Sequence, residues 1–511
     1  MSRGVPVSRG VPVSRGVRVS RGVARRARRR IGAIALATGA LFASGCSGNS
    51  PSAGKTTTTA SASVQVANPP TTTSPSSAGA WTTYGGTADR AGIDTTSPPA
   101  TTVSPAWTVP IDGSVYAQPL VVKSQVIVAS ETDTVTAVDV DTGKVNWSRS
   151  LGTPVPGSSL PCGNIDPSGI TGTPVADPMS GKLWVVASLA GNPAATSGGQ
   201  PPATALPAST TISHVLFTIS LSTGAVLAQR PIDPSGADPT TEQQRGALAL
   251  ANGYVYVPFG GLFGDCGAYH GYVVGVPISG SAPAIQFEAD AGNGAGIWYP
   301  AGPAVVGSGE LLVATGNGTS NAPDQSNSVL LLSQQLGVLG LFTPTDSASL
   351  SSSDLDLGST DPIEVGDGHV FIAGKQGVGY LLAVAHLGGT GGQLFAGQVC
   401  NGGGQAIGGS VYVDGKIVVS CTNGLVALTL QGTGFSPAWT AGTGLAGPPI
   451  VSGGHVWFVD IDAGSLVAVD PGSGRTTQVL DIGAAVHLES PAAADGKIYV
   501  VAGGKLQAFD E

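Results

Sequence analysis

The stretch "DTVTAVDVDTGKVNWSRSLG", residues 133–152, sets an apolar run, a turn rich in Asp, Thr and Gly, and a second run that carries a Trp. Alternation of apolar and polar side chains gives each run one core-facing side, and "DTG" supplies the reversal between two antiparallel strands. The pattern returns as "HVLFTISLSTGAVLAQ", "GYVVGVPISGSAPAIQF", "SVLLLSQQLGVLGLF", "GYLLAVAHLGGTGGQLF", "LVALTLQGTGFSPAW" and "LVAVDPGSGRTTQVL", with an incomplete copy, "KLQAFDE", closing the sequence. One hairpin cannot bury its apolar face alone, so a recurring one must stack on its neighbours.

Ahead of the copies lie further strand pairs such as "QPLVVKSQVIVAS", "GALALANGYVYVPF" and "DPIEVGDGHVFIAG", so each unit has four strands. Most copies are spaced by about 40 to 57 residues, the period of a propeller blade. The first interval, of about 80 residues, holds "AGNPAATSGGQPPATALPASTT", read as a long surface loop. The final half-copy lacks a fourth strand, and "PAWTVPI" at residues 105–111 is a fourth strand without a blade. Joined, they make blade eight and remove the open sheet edges. The expected fold is therefore all-β: an eight-bladed β-propeller of four-stranded antiparallel blades over residues 104–511, closed by pairing of its N- and C-terminal strands. A composition of 77 Gly, 37 Pro and 11% charged residues suits such short strands and turns.

The region before the repeats has another character. The first 30 residues hold ten Arg and no acid, and "IGAIALATGALFASGC" follows, an apolar run too short to span a bilayer. It reads as a signal-peptide core. Ala43-Ser44-Gly45-Cys46 resembles a bacterial lipobox, so residues 1–45 are expected to be a lipoprotein-type signal peptide and Cys46 to be acylated; an ordinary cleavage site beside a chance cysteine is the other reading. Residues 46–80, rich in Ser, Thr and Pro, read as a disordered tether, and 81–103 as a lead-in segment. The expected place is outside the cell, held by lipid to the outer face of the membrane. Without residues 1–45 the chain keeps 13 of its 23 basic residues against 32 acids, a net charge of −19, and no basic stripe, which argues against nucleic acid as a partner.

Beyond Cys46 four cysteines remain, an even number that in an exported chain points to two disulfides. Cys400 with Cys421 makes a local staple, and Cys162 with Cys266 a link between neighbouring repeats; free buried thiols are the other reading. The sequence has no paired C-x-x-C, no glycine-rich phosphate loop ahead of a helix and no G-x-S-x-G elbow.

In a propeller the loops after each second strand converge on one mouth of the channel. Here "GGLFGDCGAYHG", "ATGNGTSN" and "AGKQGVGY" bring forward Asp265, Asn317 and Lys375. An acid, an amide oxygen and a cation could hold a hard metal and polarise a carbonyl. His270 and His487 are candidates to line the channel. Arg245, in "TEQQRGALAL", is expected to begin an inner strand and either to bind an anion or, as favoured, to pair with a neighbouring acid.

The form "AVDVDTGKVNW" resembles the repeat of the pyrroloquinoline quinone (PQQ) propeller superfamily, in which Trp residues pack between successive blades; the resemblance covers residues 104–511. That superfamily holds calcium-dependent quinoprotein alcohol dehydrogenases and also scaffold lipoproteins that bind no quinone, some of which help outer-membrane assembly. Trp147, Trp439 and Gly143 are structural in either case. The segment "GIWYPAGPAVVGSGELLVATGNG" looks like the dehydrogenases' Trp-to-Thr-Gly-Asn stretch. Carried over, it implies Trp298 as the floor on which a quinone stacks and Asn317 as a calcium ligand. Lys375 matches the basic residue that contacts the quinone oxygens, and Asp265 stands near the calcium-binding Glu. "SSDLDLGSTDP" implies Asp354 or Asp356 as the general base that takes the alcohol proton. Two features depart from the pattern: "LPCGNIDPSGITGTP" carries Cys162 alone where the dehydrogenases have adjacent cysteines, and the Trp beside their catalytic Asp is missing.

The resulting expectation is a monomeric binding or scaffold protein at the cell envelope, with no cofactor firmly implied. Its partner is an envelope protein, a peptide, a polymer, or a small ligand at the channel mouth. The alternative is a PQQ- and calcium-dependent dehydrogenase that oxidises an alcohol or sugar.

Overall fold

A computed structural model describes residues 80–191, 211–319 and 324–511. The expected signal peptide, the acylated Cys46, the tether up to residue 79 and most of the insertion in the first interval lie outside the described residues.

Eight antiparallel sheets follow one another around an axis, as the repeat pattern predicts. Their inner strands are Leu120–Val122, Val175–Asp177, Ala249–Ala251, Ala304–Val306, Ile363–Glu364, Ala406–Val413, Ile450–Ser452 and Ala492–Ala494. The second and third strands of each blade carry the buried Val, Ile and Leu, which pack face to face with the next blade. Blade eight unites the two ends of the repeat region: Ser104–Pro110 pairs antiparallel with Lys505–Asp510, with Ser104 opposite Asp510 and Pro110 opposite Lys505. Blades three and four each add a short fifth strand, Glu242–Gln243 on Tyr254–Gly261 and Gly389–Thr390 parallel to Val338–Thr343.

The Trp of one blade docks on the turn glycine of the next. Trp107, Trp147 and Trp439 donate their indole N–H to the carbonyls of Val140, Leu221 and Pro471, at 2.9, 3.0 and 3.0 Å. Each ring lies against a turn glycine, Gly143, Gly224 and Gly474, whose φ of +69°, +66° and +70° suits only glycine without strain. A Cβ there would sit 2.9, 2.5 and 2.6 Å from the indole.

Residues 81–94 cross the axis. Trp81 pairs with Val121, Thr82 accepts from the Ala176 N–H, Ala88 accepts from the Val305 N–H, and Asp94 donates its N–H to Val451. These partners stand on the inner strands of blades one, two, four and seven. Arg90 is wholly buried among them and donates to the carbonyls of Tyr84, Leu248 and Pro303. The centre of the ring is thus filled by the chain's own lead-in.

Both expected disulfides are present. Cys162–Cys266 joins the loop between blades one and two to a loop of blade three, and Cys400–Cys421 staples blade six.

Candidate functional site at the channel mouth

A four-stranded blade alternates direction, so the loops after second strands and the links between blades share one face. Every residue singled out for chemistry lies on that face. The link between blades four and five carries the helix Ser347–Ser352 and then Asp354 and Asp356; Lys375 comes from the next blade and Asn317 from the previous one.

These four form one network. Lys375 Nζ lies 2.5 Å from Asp356 Oδ2 and 3.0 Å from Asp354 Oδ1. Asn317 donates its backbone N–H to Asp356 Oδ1 at 2.6 Å and its side-chain amide to Asp354 Oδ1 at 3.1 Å. Asp356 is almost wholly buried and Asp354 is exposed. Burial raises the Asp356 carboxyl above its ordinary pKa, with Lys375 and the Asn317 N–H pulling the other way. At Lys375 burial works to lower the pKa, and the two aspartates outweigh it, leaving the ammonium above its usual value. The same ammonium lies 5.5 Å from the centroid of the Trp298 ring, within cation–π range. Gly316 is required here: a Cβ would meet Asp356 Oδ1 at 2.5 Å and Trp298 Nε1 at 3.0 Å.

Asp265 does not join this network. Its Oδ1 accepts from the Tyr269 hydroxyl at 2.6 Å, and Asn317 and Lys375 bond Asp354 instead. Asp265 and Asn317 therefore share no contact of the kind a common metal requires, and among the described residues no three His, Cys, Asp or Glu groups gather where they could hold one. Cys162 bonds Cys266 across two loops, not a neighbour in sequence. Sequence reasoning missed Tyr269, and also Asn327 and Ser351, which orient the network from behind: Asn327 accepts the Leu357 N–H and donates to Ser351 Oγ. No motif marks them, because their roles depend on chain crossings.

These residues can be tested against PQQ and calcium. The Trp298 face is shared with the Lys375 ammonium, that ammonium is already held by two carboxylates, and Asp265 is engaged by Tyr269. As arranged, the side chains do not fit a stacked quinone with a bound calcium, and no reaction step is derived through either.

Nearer the axis, Arg245 sits in the link before the inner strand Ala249–Ala251, not within it. The favoured acid pair is absent: Arg245 makes no ion pair among the described residues and senses Tyr116 and Glu131 only through space. His487 lies beside it, and burial first, then Arg245 and Lys375, push its pKa down to about 4. His270 offers its backbone N–H to Glu242 at 2.9 Å. Burial raises Glu242 to about 8.

The PQQ_2 family model, described as the outer membrane protein assembly factor BamB, matches residues 99–260. No curated protein sequence matches the chain. Among solved structures it is similar to the quinohemoprotein alcohol dehydrogenase of Comamonas testosteroni, at 14% identity and a TM-score of 0.65, over 84% of this chain and 80% of that one. It is similar to a europium-containing methanol dehydrogenase at 13% identity and 0.63, over 85% and 98%. It is also similar to BamB of Moraxella catarrhalis at 13% identity and 0.55, over 80% and 100%. At these identities the likeness speaks to the fold, which enzymes and an assembly factor share.

Proposed function

We propose that this chain, a member of the PQQ-repeat β-propeller superfamily, is exported, anchored by lipid on Cys46 to the outer face of the cell membrane, and acts there as a binding or scaffold protein. Its partner class is an envelope protein, peptide or polymer, which the likeness to an outer membrane protein assembly factor supports. The observation that carries the non-catalytic reading is the closed ion-pair network: Asp354 and Asp356 satisfy Lys375, which shares the Trp298 face. A dehydrogenase needs that cation and that face free for its cofactor.

The alternative, a quinoprotein dehydrogenase oxidising an alcohol or sugar, draws support from the convergence of Trp298, Asn317, Asp356 and Lys375 from successive blades. One experiment separates the two. Purified protein is mixed with PQQ and calcium, and both its melting temperature and its reduction of an artificial electron acceptor with alcohols and sugars are followed. The binding reading expects no change in either; a raised Tm together with dye reduction overturns it. Anchoring is tested separately by labelling with a fatty-acid analogue, which Cys46→Ala should abolish.

A further inference from the structure

Around the axis, Tyr116, Thr171, Arg245, Pro300 and Leu488 occupy equivalent places, each four residues ahead of an inner strand that starts at Leu120, Val175, Ala249, Ala304 or Ala492. Arg245 is the only charged residue of the five. With Thr173 and His487 they line a small recess of about 10 Å³, room for roughly one water. The Arg245 guanidinium is half-buried and has neither a hydrogen bond nor an ion pair among the described residues. Glu131, the carboxylate it senses, makes no ion pair with it, and its Oε2 accepts the Gly169 N–H at 2.6 Å. The planar fork of an unpaired guanidinium matches an anion with two oxygens.

We propose that this recess binds the carboxylate end of a ligand, either an organic acid or a peptide C-terminus, with Arg245 as the bidentate donor. The Tyr116 hydroxyl on the same wall is a further donor. The neutral His487 ring offers one N–H without adding charge. The recess holds about one water-sized group, so it takes a carboxylate oxygen while the second oxygen and the rest of the ligand lie in the mouth. The site lies on links feeding blades one to four and eight, apart from the Lys375 network, and it does not depend on whether the protein is a scaffold or an enzyme.

The test follows the His487 ring resonance in protein carrying labelled histidine, with the signal identified by its loss in His487→Asn. Succinate and Gly-Gly-Gly are titrated, each beside its amide. One of the two acids should move the resonance to saturation while its amide does not, and the acid that works tells an organic acid from a peptide end. Arg245→Gln should weaken that binding at least tenfold. The proposal is overturned if neither acid saturates the shift, if acid and amide act alike, or if a folded Arg245→Gln binds as the wild type does. Should that variant not fold, the acid–amide contrast on the wild type decides alone. A failed PQQ titration leaves this result untouched, so the two readings fall separately.

Discussion

Lys375 Nζ stands 2.5 Å from Asp356 Oδ2, across the boundary between two blades, with the carboxylate side chain 4% exposed and the ammonium side chain 16%. Removing the cation leaves a buried charge with only the Asn317 N–H to hold it. Lys375→Met should therefore destabilise the propeller by about 3–5 kcal/mol, and adding Asp356→Asn should recover most of the loss. Urea unfolding of the single and double variants checks this; equal stability of Lys375→Met and wild type would count against the pair as a structural element.

Burial is the first cause that pushes Glu131 and Asp361 up to about 7 and Glu242 up to about 8. A carboxyl with a raised folded pKa holds its proton longer in the folded state than in the unfolded one, so its contribution is present at low pH and lost as pH rises through the folded value. His487 runs the other way, with a folded value near 4 against 6.5, and its effect is complete by about pH 6.5. Between about pH 6.5 and 8.5 the acids set the slope, and Tm should fall by several degrees. Glu242→Gln should flatten that fall in a buffer-matched melting series, and a Tm that rises across this range contradicts the assignment.

Gly224 carries the Trp147 ring where a Cβ would be, at 2.5 Å, with φ at +66°. Gly224→Ala should cost about 2–4 kcal/mol, from left-handed strain of roughly 1–2 kcal/mol and displacement of the ring. Gly253, also at positive φ (+78°) but with nothing within 4 Å, should show the strain alone when changed to Ala. Chemical denaturation of both variants separates packing from backbone; equal losses would remove the packing argument.

The two disulfides differ in access. Cys400 and Cys421 are fully buried, whereas Cys162 and Cys266 are partly exposed. Under native conditions a mild thiol reductant should open Cys162–Cys266 first, read as a two-alkyl mass gain mapped to those cysteines. Their sequence separations are 104 and 21 residues, so replacing Cys162 and Cys266 by Ser should cost about 4–5 kcal/mol and replacing the other pair about 3 kcal/mol.

The wheel was legible because its cause is local. "DTGK" and "STGA" specify a turn, the Trp after "DTGK" specifies a neighbour, and repetition does the rest. The incomplete "KLQAFDE" and the orphan "PAWTVPI" identified each other by what each lacked. The channel mouth was legible in part: Asn317, Lys375, Asp354 and Asp356 converge because equivalent loops converge, but the partners of Asp265 and Arg245 depend on crossings that no repeat encodes. Asp265 turned to Tyr269 only four residues on, while Arg245 makes no ion pair among the described residues. The lead-in was recognisable as a segment outside the repeats, yet nothing in "WTTYGGTADRAGID" announces that it threads the axis; that follows from Arg90 reaching carbonyls more than 150 residues away in sequence, at a separation of 158 for Leu248 and 213 for Pro303.

That threading decides how the molecule bears a load. A pull applied on the N-terminal side of residue 81 reaches main-chain bonds to the inner strands of blades one, two, four and seven before it reaches Ser104–Pro110, the strand that closes the ring. Tension is thus spread over the hub and shared around the circumference, and the seam of blade eight is shielded from peeling. An arrangement of this kind suits a body tethered by one end.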